Sequence, residues 1–199
     1  KITWASGIDT KGRPILVPGM EPSVEGKEIC PTVRGAANWM SDSYNPDTGL
    51  MYVVTLEACD IYTASARDPV PMIGFAGTGG ERPPNASGQF ILRAIRPETG
   101  ERVWEYPMTG PTTAWAGTLS TAGGLIFFGD DDNHLVAVDA RDGKHLWHFS
   151  LGQANYASPI TWARNGKQYV TIVAQNGVFT FGLFEPAAST PRVDTGRKP

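Results

Sequence analysis

Apolar residues in this chain fall in short runs separated by turn signals, most regularly between Gly117 and Leu183. Five such runs are Leu125-Ile126-Phe127-Phe128, Leu135-Val136-Ala137-Val138, Leu146-Trp147-His148-Phe149, Tyr169-Val170-Thr171-Ile172-Val173 and Val178-Phe179-Thr180-Phe181. None is long enough for a stable helix, and most are rich in β-branched and aromatic residues. The gaps carry Gly, Asp and Asn, which supply positive φ and side-chain-closed turns. The pattern predicts a β-meander.

Upstream the signal is less regular. Lys1-Ile2-Thr3-Trp4 reads directly as strand. Trp4 to Asp9 and Ile15-Leu16-Val17 flank a turn at Thr10-Lys11-Gly12-Arg13-Pro14. Residues 18–29, broken by Pro18, Gly19, Pro22 and Gly26, predict a loop. Asn45-Pro46-Asp47-Thr48-Gly49 between apolar runs predicts a hairpin. Residues 57–90 are an irregular excursion, in which Arg67-Asp68-Pro69-Val70-Pro71 and Gly77-Thr78-Gly79-Gly80-Glu81-Arg82-Pro83-Pro84 are expected to hold no regular strand. Such a long loop in a compact domain is usually functional or mobile. The tail from Glu185 to Pro199 is rich in Pro, Thr and charge, and is expected to be extended or disordered.

The runs repeat. Ala137-Val138-Asp139-Ala140-Arg141-Asp142-Gly143-Lys144-His145-Leu146-Trp147 shares its frame with Ala94-Ile95-Arg96-Pro97-Glu98-Thr99-Gly100-Glu101-Arg102-Val103-Trp104, 43 residues earlier, Gly to Gly and Trp to Trp. A period of this length with several short strands per unit is the signature of a β-propeller.

Composition changes the picture only at its edges. The net charge is −3 and no basic stripe exists, so a nucleic-acid partner is not expected. No apolar stretch approaches a membrane span. Cys30 and Cys59 sit in neither a C-x-x-C nor a C-x-x-C-H pattern, which leaves one disulfide or two buried thiols. Asp130-Asp131-Asp132-Asn133 lacks the Gly and the distant Glu of an EF-hand loop and reads as a solvated turn. Gly77-Thr78-Gly79-Gly80 lacks the ending of a phosphate loop. Asn85-Ala86-Ser87 is a formal glycosylation sequon. His145 and His148, three apart on a strand, are expected on opposite faces, and with His134 they compose no site. No serine lies in a G-x-S-x-G frame, so hydrolase chemistry has no support.

The A-x-D-x-x-x-G-x-x-x-W turn at this period resembles the tryptophan-docking motif of the pyrroloquinoline quinone (PQQ) dehydrogenases, which are eight-bladed propellers. Trp115 to Leu125 and Asn165 to Val170 look like the last full blade and closing strands of that family. Trp4-Ala5-Ser6-Gly7-Ile8-Asp9 with Gly12-Arg13-Pro14 is similar to the segment following its active-site basic residue. The resemblance covers most of residues 1–183. It implies an all-β fold, a partial β-propeller in which residues 1–184 are C-terminal blades of four antiparallel strands each, with 57–90 helping to cover the funnel above the cofactor.

By the same resemblance Cys30-Pro31 matches a segment bridged by a disulfide in the methanol dehydrogenase branch, which favours a Cys30–Cys59 bridge and fits an oxidising periplasm. Asn38-Trp39 resembles a block whose Asn lies beside the quinone, where a planar amide offers both donor and acceptor. Trp115 aligns with a tryptophan beside the cofactor. Phe179 falls where methanol dehydrogenases place another tryptophan. The implied reaction is oxidation of an alcohol or related hydroxyl compound with PQQ, Ca²⁺ or a lanthanide polarising the quinone and an Asp as base. That Asp, the metal ligands and a basic partner are expected upstream of Lys1, so no catalytic or metal-ligating residue is assigned here. The isolated chain is expected to be inactive. Implied partners are the N-terminal part of the propeller, the alcohol, and a cytochrome or quinone acceptor. Unpaired blade edges favour association between copies. A non-catalytic periplasmic scaffold with the same docked repeat, of the outer-membrane assembly lipoprotein type, is the alternative. The Cys30-Pro31, Asn38-Trp39 and Trp115-Ala116-Gly117 blocks favour the enzyme.

Overall fold

The computed structural model describes residues 1–64, 78–81 and 88–183. The Arg67 to Pro71 stretch, the Asn85 sequon and the Glu185 to Pro199 tail lie outside them.

Every regular element among the described residues is a strand. The chain runs β1 (Ala5–Ile8), β2 (Pro14–Leu16), β3 (Lys27–Ile29), β4 (Ser43–Asn45), β5 (Leu50–Glu57), β6 (Asp60–Ala64), β7 (Thr78–Glu81), β8 (Gln89–Arg96), β9 (Glu101–Pro107), β10 (Thr118–Ser120), β11 (Leu125–Gly129), β12 (His134–Asp139), β13 (His145–Ser150), β14 (Ile160–Arg164), β15 (Lys167–Ala174) and β16 (Gly177–Gly182). Three antiparallel meanders carry the fold: β4-β5-β8-β9, β10-β11-β12-β13 and β14-β15-β16. A hairpin β1-β2 precedes them, and a small sheet β3-β6-β7 rises from the first meander.

Two regions differ from the sequence reading. Residues 18–29 were expected to be loop, yet Lys27–Ile29 pairs with Asp60–Tyr62. Thr78–Glu81 was expected to hold no strand, yet it pairs antiparallel with Ile61–Ala64. In both cases a long-range partner supplies the hydrogen bonds that local composition disfavours. At the end of a sheet the glycines of β7 need only one ladder. The first strand also begins at Ala5, four residues after Lys1.

The second meander is the middle layer, so its strands alternate between two buried faces. Ile126, Phe128, Val136 and Val138 point to the first meander and join Tyr52, Val54, Leu92 and Ala94 in one core. Leu135 points the other way, with Phe127, toward Val170, Ile172, Phe179 and Phe181 of the third. Face-to-face stacking of four-stranded meanders is the blade packing of a propeller.

The two docking repeats occupy equivalent places. Trp104 and Trp147 lie on the fourth strands, opposite Ala94 and Ala137, and each ladder shifts register immediately afterwards. Trp104 packs onto Gly143 of the next sheet, where an added Cβ would come within 2.6 Å of its ring. Its Nε1 donates to the Ala140 carbonyl at 3.1 Å, and the buried Tyr52 hydroxyl donates to the same oxygen at 2.8 Å. Trp147 keeps 38% of its surface exposed and meets Phe181 edge-on at 5.3 Å. The turn equivalent to Gly143 in the third sheet would follow β16, past the described residues.

Candidate functional site

Antiparallel meanders sort their connections by end. The segments entering β4, β10 and β14, and the turns between second and third strands, gather at one end. The docking turns lie at the other. Every candidate cofactor residue that the sequence assigns, except Phe179, sits in an entering segment.

The first of these segments, residues 30–42, is tied down closely. A Cys30–Cys59 disulfide joins it to the junction of β5 and β6. Asp60 accepts from Val33 N at 3.0 Å, Tyr62 OH donates to the Pro31 carbonyl at 3.1 Å, and Leu56 N donates to the Ala36 carbonyl at 2.7 Å. Asn38 closes the segment on itself: its Nδ2 donates to the Arg34 carbonyl at 2.7 Å and its Oδ1 accepts from Trp39 N at 2.9 Å. The amide therefore orients Trp39 and retains one free donor hydrogen and one free lone pair.

The second segment brings Trp115 against the first. The Trp39 and Trp115 rings stack with centroids 4.4 Å apart and planes 14° from parallel. The Arg34 guanidinium carbon lies 5.5 Å from the Trp115 ring centre, within cation–π range. Gly117 makes this approach possible. A Cβ there would meet Ser41 O at 2.6 Å, Ser41 N at 2.7 Å and the Ser158 hydroxyl. All three entering segments thus converge on one glycine. Thr118 continues the seam, donating its N–H to Ser41 O at 2.8 Å and its hydroxyl to Tyr52 O at 3.1 Å.

Beside the aromatic pair a polar cavity of about 330 Å³ is lined by Thr32, Arg34, Asp60, Thr112 and Asp131 among others. Asp131 is 4% exposed, so the acidic turn is not wholly solvated as expected; Asp130 organises it by accepting from Asp132 N and His134 N. Burial pushes the Asp131 carboxyl above the ordinary aspartate range, although the Gly110 N–H donated to it at 2.7 Å pulls the other way. In the third segment Asn155 is 2% exposed with neither amide atom hydrogen-bonded, above Gly129 and next to Ala116.

The structure therefore brings Asn38, Trp39 and Trp115 together. Phe179 lies instead in the apolar layer between the second and third meanders, 6.3 Å from Phe149 ring to ring. Sequence reasoning missed Arg34, Asp131 and Asn155. Arg34 was findable as the one cation between Cys30 and Trp39. The other two depend on burial, which no local pattern encodes. Among the described residues the one group of three metal-capable side chains whose ligand atoms all lie within 4.8 Å of one another is Glu28, Cys30 and Cys59, and its two sulfurs are bonded to each other.

Stacked antiparallel meanders, the first docked on the second through Trp104, with aromatic rings and a cation at the end where their entering segments meet, define this protein as a segment of a β-propeller. The family description "Glucose/ethanol/alcohol dehydrogenase, beta-propeller domain" (PQQ) matches residues 107–170. Quinoprotein alcohol dehydrogenase PedH of Pseudomonas putida is 38% identical over 183 residues, covering 87% of this chain and 30% of that protein. A quinone-dependent 1-butanol dehydrogenase of Thauera butanivorans is 39% identical over 188 residues, covering 88% and 29%. Among solved structures, the quinohemoprotein alcohol dehydrogenase of Comamonas testosteroni superposes with a TM-score of 0.78 at 28% identity, covering 89% of this chain and 28% of that one. The chain belongs to the PQQ-dependent quinoprotein alcohol dehydrogenase family, and spans about 30% of the length of those relatives.

Proposed function

We propose that this chain forms one wall of the PQQ pocket in a quinoprotein that oxidises alcohols, and that the rest of the propeller carries the catalytic base and the metal ligands. The observation that supports it is the Trp39–Trp115 stack with Arg34 beside it, held at the converging end of three blades. PQQ is flat, aromatic and anionic, and the donor set suits it. Indole faces accept a planar ring, a guanidinium pairs with carboxylates, and the free valences of the Asn38 amide can serve a carbonyl or carboxylate. The 4.4 Å ring separation leaves no slot between the two indoles, so the cofactor would stack on an outer face. Trp39, 66% exposed, offers one.

When bound, the cofactor would supply the two-electron redox chemistry, and a Ca²⁺ or lanthanide ion the Lewis acid. This chain's residues position and exclude. Asn38 holds the Trp39 backbone N–H and so the stretch that presents the ring, Gly117 permits the close seam, and the disulfide holds the segment that carries Asn38 and Trp39. The outer face of the third meander supports the partial-propeller reading. Ile160, Trp162, Val173 and Val178 share that face and are all exposed, as a blade face is where its neighbour is missing. An alcohol substrate, a cytochrome or quinone acceptor and an exported, periplasmic location belong to this reading, the last supported by the disulfide.

The test is PQQ binding, followed by quenching of tryptophan fluorescence, to the full enzyme containing this chain and to its Arg34→Met and Trp39→Ala variants. Both should bind at least about tenfold more weakly, the loss of one charge-assisted bond or one stacking face. Unchanged affinity in both would refute the assignment.

A further inference from the structure

The three histidines, read from sequence as scattered, converge in the structure. His148 lies opposite Val136 and His145 opposite Val138. Val136 and Val138 are two apart on β12 and share a face, so their partners do too. The register shift between Ala137 and Val138 makes this possible: Leu146 is the extra residue of a β-bulge, and it restores to one face two side chains that a regular strand would separate. His134, opposite Ser150 and two residues before Val136, joins the same face.

The side chains form a row. His145 Nε2 and His148 Nδ1 are 3.0 Å apart. The His134 and His148 rings meet edge-on with centroids 5.1 Å apart. Both ends of the row are anchored by another group. Tyr106 of β9, in the neighbouring meander, stacks on His145 and places its hydroxyl 3.1 Å from Nδ1. Asp130 holds His134 Nδ1 at 3.3 Å. His145 and His148 are both exposed to solvent.

We propose that His145 and His148 form a chelating site for a divalent transition-metal ion of the copper, nickel or zinc group, with His134 at its edge. Imidazole nitrogens suit these ions. With metal–nitrogen bonds of about 2.0–2.1 Å, two nitrogens on one ion stand roughly 2.9 Å apart at a right angle and roughly 3.3 Å apart at the tetrahedral angle. The observed 3.0 Å therefore needs only rotation of two exposed rings, with no backbone movement. A ligating histidine commonly has its other ring nitrogen fixed by a hydrogen bond. Tyr106 does this for Nδ1 of His145 and leaves Nε2 as the ligating atom. Water, or His134 after leaving Asp130, completes the coordination. The site lies on the face toward the first meander and rests on the fold alone, independent of the PQQ reading.

The test uses the full protein containing this chain, stripped of loosely held metal and titrated with Cu²⁺, Ni²⁺ and Zn²⁺ by calorimetry, with electron paramagnetic resonance of the copper form. The wild type should take one ion with a copper spectrum showing nitrogen coupling from imidazole. His145→Gln and His148→Gln should each weaken binding at least about tenfold and remove that coupling, and Tyr106→Phe should weaken it less. All three side chains reach the surface, and the thermal midpoint of each metal-free variant establishes that it folds. Equal stoichiometry and affinity in the wild type and the His145→Gln/His148→Gln double variant would overturn the proposal, as would a wild type that takes no ion.

Discussion

Replacing Gly143 by alanine should measure the energy with which one blade docks on the next, because the chain contains its own control. Gly143 and Gly100 hold the same place in successive docking turns, with φ of 72° and 74°. Alanine in that left-handed region costs about 1–2 kcal/mol at either site. Around Gly100 nothing lies within 4 Å, so Gly100→Ala should cost that and no more. At Gly143 the new methyl would stand 2.6 Å from Cε3 and 2.9 Å from Cζ3 of Trp104. The indole must move, and the 3.1 Å bond from its Nε1 to Ala140 O goes with it. Overpacking of this kind adds about 1–3 kcal/mol, so Gly143→Ala should cost about 2–5 kcal/mol in total. Trp104→Ala alone removes a half-buried indole and should cost about 3 kcal/mol, the low end for such truncations. The double variant should cost less than the sum by about 1–3 kcal/mol, since the methyl then has no ring to strike. Urea unfolding of the four proteins and the wild type, followed by far-UV circular dichroism, provides the comparison. Equal losses for Gly100→Ala and Gly143→Ala, with an additive double variant, would show that the docked tryptophan contributes nothing.

Three other outcomes are expected. Thiol titration of the unreduced, denatured chain should find no free cysteine, and reduction should cost about 3–4 kcal/mol for a bridge spanning 29 residues; two reactive thiols would contradict the bridge. Because burial raises the Asp131 carboxyl, the folded protein holds that proton more tightly than the unfolded chain, so the group's contribution is fully present below the unfolded value and is lost as pH rises through the folded one. Asp131→Asn keeps the Gly110 N–H bond and should gain stability on the wild type as pH rises through the acid range; a difference independent of pH would refute this. The isolated 199-residue chain should show no turnover in a dye-linked assay with PQQ, Ca²⁺ and a primary alcohol, beside an active full enzyme; comparable rates would place the catalytic centre within this chain.

The sequence by itself determined the strands of the meanders, the turns that join them and the 43-residue repeat, because alternation, turn chemistry and Gly–Trp spacing are local. The family's blocks pointed to Asn38, Trp39, Trp115 and Phe179; the structure brings the first three close to one another and places Phe179 elsewhere, between the second and third meanders. What tertiary structure alone decided has in each case a long-range cause. β7 exists because β6 offers a ladder to a glycine-rich segment. Phe179 faces the second meander because the register of β15 with β16 puts it opposite the buried Ile172. Asp131 is buried by a loop from 19 residues or more earlier, so its charge environment was invisible in an acidic run. His145 and His148 share a face because one bulge residue shifts the parity of a strand, and a bulge is fixed by its partner strand. Local pattern decides which segments extend; only the pairing of segments decides which side chains meet.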